Sequence, residues 1–193
     1  MSRKFARVAP GSIAEFVGKS SMTNELTSRE LLDVVDADDR VTGVKTRGEI
    51  HAQGLMHRAV HILVFNSGGE LFIQKRSMSK DNNPGLWDSS AAGHVDSGED
   101  YGDCAIRELG EELGIRVAAP LEQLFRLAAS RITDMEHCVV YRYVSDGPFE
   151  LEVAEIDEGA WISASEMDRR VSGDDPTMTR VLQLIWNKFR QDF

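Results

Sequence analysis

At 193 residues, with 28% charged and 41% hydrophobic side chains, the chain has the make-up of a globular protein rather than a disordered or fibrous one. A chain of this size buries roughly 70% of its unfolded surface, so one domain with extensions is expected and no staple is needed. The formal charge of −10, from 22 basic and 32 acidic residues, opposes an extended nucleic-acid interface, and no apolar run approaches the ~20 residues of a membrane span.

Residues 1 to about 28 mix Gly, Ser, Pro and scattered charge without periodicity, which predicts an N-terminal extension (1–28) ahead of the domain proper (29–193). The extension has no continuous hydrophobic stretch of the kind a signal peptide carries. Only Cys104 and Cys138 are thiols, so no disulfide framework is implied, and a reducing cytoplasm is the expected compartment.

From Glu30, LLDVVDADDRVTGVKT places two apolar runs around an Asp-rich turn, predicting a hairpin, and TRGEIHAQG predicts a short helix ending at Gly54. His57 to Phe65 and LFIQKR, separated by Asn66-Ser67-Gly68-Gly69, form a strand, turn and strand at the expected centre of a sheet. A polar loop with Pro84-Gly85 leads to a strand near Trp87 to His94. Further strands are expected in EQLFRLAAS, HCVVYRYV and GAWIS. Ser163 and Glu166 have capping-box spacing for a short helix, and a last helix follows Pro176, with Val181, Leu182, Ile185 and Phe189 on one face. Strands interspersed with helices predict an α/β or α+β sandwich.

The chemistry concentrates in GHVDSGEDYGDCAIRELGEELGI, residues 93–115. Ala105, Ile106, Leu109 and Leu113 recur at helical spacing, acidic residues crowd the N-terminal end, and Gly114 with Ile115 closes the helix. Glu108 lies three residues before Glu111 and four before Glu112, so the three carboxylates share a face, expected opposite the core. Acidic runs are often plain solvated helix faces. A hard divalent cation relieves such repulsion, and Mg²⁺ takes a few carboxylates together with water and substrate phosphate oxygens.

The same segment is similar at every specified position to the Nudix box, G-x5-E-x7-R-E-U-x-E-E-x-G-U with U aliphatic: Gly93, Glu99, Arg107, Glu108, Leu109, Glu111, Glu112, Gly114 and Ile115. The resemblance implies an α/β/α sandwich with a mixed sheet. It implies Mg²⁺ or Mn²⁺ as cofactor, with Glu108, Glu111 and Glu112 binding metal or positioning water, Glu99 contributing, the Gly93 carbonyl reaching the metal and Arg107 orienting the carboxylates. The implied reaction is hydrolysis of a diphosphate linkage in a nucleoside diphosphate derivative or related organic diphosphate. Arg76 and Lys75 are candidates for substrate phosphate, and Glu111, Glu136 or Glu158 for the general base. The partner is then a small-molecule diphosphate, and a homodimer is compatible with the family.

Outside the box, residues 30–170 resemble isopentenyl-diphosphate isomerases and their Nudix relatives. Those isomerases hold a metal with three histidines and two glutamates. The nearest positions here are His57, His94, Asp134 and Glu136, with His51 displaced by one residue, while His61 and His137 are expected to be structural. Ala92 stands where the isomerases carry the proton-transferring cysteine, and a methyl group transfers no proton. Cys104 is expected to be a packing residue. An isomerase-like enzyme and a non-catalytic nucleotide sensor are therefore the competing readings; the first is opposed by Ala92 and the second by the complete box.

Overall fold

The structure, a computed structural model, describes residues 29–193, and the N-terminal extension lies outside the described residues. Strands β1 (Leu31–Val35) and β2 (Val41–Thr46) pair antiparallel as a separate ribbon. Its turn forms where the Asp36 carboxylate accepts the backbone N–H groups of Asp38 and Arg40. Helix α1 (Arg47–Gln53) starts at a complete capping box: the Thr46 hydroxyl accepts from the Glu49 N–H, and the Glu49 carboxylate accepts from the Thr46 N–H. It stops at Gly54, whose φ of 61° is the left-handed conformation that favours glycine.

The main sheet is built on β3 (His57–Phe65). One edge of β3 runs parallel to β8 (Glu136–Val144) over all nine residues, and β7 (Glu122–Leu127) lies antiparallel outside β8. The other edge is shared. β4 (Leu71–Arg76) pairs with β3 only beside their turn, Val64 opposite Phe72 and Phe65 opposite Leu71, whereas β6 (Ala91–His94) takes residues 59–62. β4 instead pairs with β9 (Ile156–Ile162) and the short β5 (Trp87–Asp88).

The expected continuous strand from Trp87 to His94 is thus two strands. Ser89 and Ser90, both fully buried, carry the chain from the edge of β4 to the edge of β3. The Ser90 hydroxyl donates to the Phe72 carbonyl and accepts the Val64 N–H at 2.7 Å, so the crossing leaves these backbone groups satisfied.

Alternation along β3 sorts the core into two layers. Val60, Ile62 and Val64 face α2 (Tyr101–Leu113), where Cys104, Ala105, Leu109 and Leu113 are buried, and Cys104 is a packing residue as expected. Leu63 and Phe65 face α3 (Ala164–Ser172) and α4 (Arg180–Asp192), which supply Met167, Val171, Leu182, Ile185 and Trp186. The result is the expected α/β/α sandwich with a mixed sheet. At the start of α3 the Ser163 hydroxyl accepts the Glu166 N–H, while the Glu166 carboxylate is engaged by Arg169 at 2.6 and 2.8 Å. None of the described helices is long and apolar enough to cross a membrane.

Leu109 is fully buried on the inner face of α2, so its truncation leaves a cavity beneath that helix. Leu109→Ala should lower the unfolding free energy by about 2–5 kcal/mol in urea denaturation. A loss below about 1 kcal/mol would contradict this packing.

Candidate functional site

α2 places its carboxylates differently from the expectation of an outward acidic face. Glu108 and Glu112 are buried and turn toward β6, and only Glu111, with its side chain 61% exposed, stands in solvent. Gly93 makes this possible, because a Cβ there would lie 1.9 Å from Glu108 Oε1. Glu112 Oε2 accepts from Gln74 Nε2 at 2.9 Å and from the Ala92 N–H at 3.3 Å. Burial pushes Glu108 up to about 7 against the opposing pull of Arg107, and burial followed by the charge of Glu108 pushes Glu112 well above the carboxylate range.

Arg107 organises the wall. It donates to Glu108 at 2.7 Å, to Glu111 at 3.1 Å, to the His94 carbonyl at 3.1 Å and, through two nitrogens, to Glu99 at 2.8 and 2.9 Å. Glu99 is held in that fork. Burial alone would raise its pKa, but the hydrogen bonds from Arg107 keep it below the usual value. Its carboxylate also accepts the Asp96 N–H at 3.0 Å, and it does not line the cleft.

A cleft of about 730 Å³ runs along this wall. Glu108, Glu111, Glu112 and Gly93 line one side, with Arg76 and Lys80 among the cations that face them. Arg76 pairs with Asp88 at 3.2 Å, and Lys80 pairs with Glu155. Lys75 and Glu158, opposite each other on β4 and β9, do not line the cleft, because Lys75 alternates to the other side of its strand from Arg76. In their place the structure brings Lys80, Glu152 and Glu155 into the lining. Lys80 sits in the polar loop after β4 and the two glutamates in the loop before β9. No local sequence pattern links these segments, and only the β4–β9 pairing juxtaposes them.

The histidines gather on the opposite face of the sheet. His51 from α1, His57 from β3 and His94 from β6 have ring centroids 4.9, 5.1 and 5.0 Å apart. Glu136 Oε1 lies 3.0 Å from His94 Nε2 and 3.6 Å from His57 Nε2, and Asp134 lies 3.5 Å from His51 Nδ1. His57 Nδ1–H donates to the Leu55 carbonyl at 3.0 Å, which leaves the Nε2 lone pair for the cluster. The Nε2 atoms of His51 and His57 are buried with no hydrogen-bond partner among the described residues. Such orphans, with ring nitrogens close together and a carboxylate beside them, fit the donor set of Zn²⁺ or a similar ion. Burial lowers His94 to about 4 despite Glu136, while the adjacent imidazoles of His57, 3.6 Å away, and His94, 3.0 Å away, hold Glu136 far below the carboxylate range despite its burial. His137 Nε2–H donates to the Asp36 carbonyl at 3.0 Å.

The NUDIX domain family matches residues 55–182. An uncharacterised Nudix hydrolase of Pseudomonas aeruginosa is 44% identical over 133 residues, 69% of this chain and 78% of that relative. An isopentenyl-diphosphate Delta-isomerase of Burkholderia multivorans is 36% identical over 136 residues, 69% of this chain and 77% of the isomerase. The crystal structure of DR0079 from Deinococcus radiodurans superposes with a TM-score of 0.74 at 28% identity, covering 82% of this chain and 98% of that one.

The buried carboxylates make the metal-free protein sensitive to pH. With a folded pKa raised from 4.5 to about 7, Glu108 favours the fold below about pH 4.5, and that contribution is lost as pH rises through about 7. His94, lowered from 6.5 to about 4, acts in the opposite sense, so the comparison needs a variant. In chelator, Glu108→Gln should gain thermal stability over the wild type on going from about pH 5 to about pH 8, and added Mg²⁺ should stabilise the wild type selectively. A melting-temperature difference that does not change with pH would remove the buried-carboxylate account.

Proposed function

The chain belongs to the Nudix hydrolase family, and from that premise we propose that it cleaves a diphosphate linkage in a nucleoside diphosphate derivative or related organic diphosphate, with Mg²⁺ or Mn²⁺ as cofactor. The observation that carries the reading is the pairing of Glu108 and Glu112 against Gly93, across one cleft from Arg76 and Lys80. The donor set fits a hard divalent ion, since oxygens from Glu108, Glu112, Glu111 and the Gly93 carbonyl are the ligands Mg²⁺ prefers. Such an ion, when bound, supplies Lewis acidity toward the phosphate and lowers the pKa of water.

The chain's own residues do the rest. Arg76 and Lys80 bind the phosphates, for which Lys80 has to leave Glu155. Arg107 holds Glu108 and Glu111 in place and is a positioning residue. Glu111 and Glu155 are the two cleft carboxylates best placed to take the proton of the attacking water, while Glu136 belongs to the histidine face and Glu158 lies outside the cleft. His51, His57, His94 and Glu136 hold a second, softer divalent ion, in line with the isomerase resemblance.

That cluster also favours a second reading, an isomerase-like activity on a prenyl diphosphate. Ala92 opposes it: the residue lines the cleft on the histidine side of β6, opposite His61 on β3, and offers no transferable proton. The wild type should incorporate no deuterium from heavy water into isopentenyl diphosphate by NMR. Metal-dependent exchange there would promote the isomerase reading over the hydrolase.

Glu112→Gln should reduce kcat by at least about 100-fold on the substrate found by mass spectrometry in a panel of nucleotide sugars, dinucleotides, nucleoside triphosphates and prenyl diphosphates. Its circular dichroism should match the wild type, because the neutral amide keeps the volume and relieves the buried repulsion. Unchanged turnover would take Glu112 out of the metal site.

A further inference from the structure

Glu136 has two oxygens, and each faces a different set of metal-binding atoms. Oε1 faces the histidine cluster, 3.0 Å from His94 Nε2. Oε2 lies on the other side, 3.9 Å from Cys138 Sγ. A ring nitrogen of His61, a carboxylate oxygen of Glu136 and Cys138 Sγ all lie within 4.8 Å of one another. His61, which its sequence context predicts to be structural, thus lies among potential metal-binding atoms.

The orientation of His61 is set from behind. Its Nδ1 is 2.8 Å from Ser89 Oγ, and that hydroxyl lies 3.4 Å from the Ala91 carbonyl. With the hydroxyl proton directed at the carbonyl, Ser89 Oγ accepts Nδ1–H and the Nε2 lone pair is left for a ligand, as at many metal-bound histidines. The side chains beside this triad are small. Ala59 stands in register with both Cys138 and His94, and Ala92 stands opposite His61. Both alanines line the cleft, as do His61 and Glu136, so two of the three ligands of the triad border it, while Cys138 is buried.

We propose that His61, Glu136 and Cys138 form a second metal site on this face, with Glu136 bridging it to the ion held by His51, His57 and His94. Nitrogen, oxygen and sulfur donors with a fourth position open to water suit Zn²⁺ or Co²⁺, not Mg²⁺. Binding releases the Cys138 thiol proton to solvent and leaves the thiolate as ligand. Carboxylate-bridged ions in two-metal sites lie about 3.5–4 Å apart, a spacing that the two oxygens of one carboxylate span. The proposal rests on the histidine-cluster reading for its first ion, and the two are separable by experiment.

The chelator-stripped full chain is titrated with Zn²⁺ and, separately, with Co²⁺, in excess Mg²⁺ that occupies the carboxylates of α2. The wild type should take up two tight Zn²⁺ per chain, and Co²⁺ should develop a sulfur-to-cobalt charge-transfer absorption. Cys138→Ser should bind one Zn²⁺ and lose the absorption, and His61→Gln should also bind one. His57→Ala should lose the first ion and keep the absorption, which guards against a folding defect in the cysteine variant. One Zn²⁺ in the wild type without the absorption overturns the second site and leaves the histidine centre standing, and one Zn²⁺ with the absorption overturns the two-ion arrangement, because the single ion is then on the thiolate. No tight ion in any form overturns both.

Discussion

The contact on which the rest of the structure turns is the one between Glu108 and the backbone of β6 at Gly93. A carboxylate can approach a strand this closely only where the strand has no side chain, and the 1.9 Å that would separate Oε1 from a Cβ means that any other residue there displaces the Glu108 carboxylate. Once α2 lies that close, Leu109 and Leu113 reach the sheet, Glu112 meets Gln74 from β4, and Arg107 reaches the His94 carbonyl. The electrostatic cost falls on the same residues. Two buried, adjacent carboxylates repel one another, and they are relieved by protonation, by the guanidinium of Arg107 at Glu108, and by Lys80 and the Gln74 amide at Glu112. The site thus carries a repulsion that a divalent cation, as proposed, would relieve.

β6 carries this arrangement to the other side of the sheet. Gly93 faces the helix carboxylates, while its neighbours Ala92 and His94 face the histidines, so successive residues of one four-residue strand belong to two chemically different centres. The helix side offers oxygen donors and the far side mostly imidazole. On the proposed reading, hard and borderline ions would sort between the faces by ligand type. Arg107 joins the two through the His94 carbonyl, which ties the position of one histidine to the orientation of Glu108 and Glu111.

Much of this was legible in the sequence. The β3 strand, the turn at Asn66 to Gly69, both ends of α1 and the helix from Tyr101 to Gly114 follow from local patterns, because alternation, capping and glycine act over a few residues. The box named the carboxylates but not their direction. A helical wheel shows that Glu108 and Glu112 share a face, and it does not show that a glycine on another strand lets that face be buried. The same limit explains Lys75 and Glu158: both lie close in sequence to residues that do line the cleft, and strand alternation turns them away. His51 shows the reverse case, for a helix start set by Thr46 delivers it to His57 and His94 although its sequence position is displaced by one.

The charge of −10 bears on how an anionic substrate enters such a site. Two of the cleft cations are already engaged, Arg76 by Asp88 and Lys80 by Glu155, so a phosphate gains either of them only by displacing a carboxylate. Near a protein surface, two unit charges 4 Å apart interact with about 4 kcal/mol, so an unneutralised diphosphate beside Glu108, Glu111 and Glu112 would meet repulsion of that order from each ionised group. On the proposed reading, a divalent ion held by the wall would reverse the sign of that interaction, and a diphosphate beside it would compete with Glu155 for Lys80. Glu155 would then lose its cation inside the cleft, so that the roles proposed for the ion, the substrate and a proton acceptor meet at one lysine in the loop after β4.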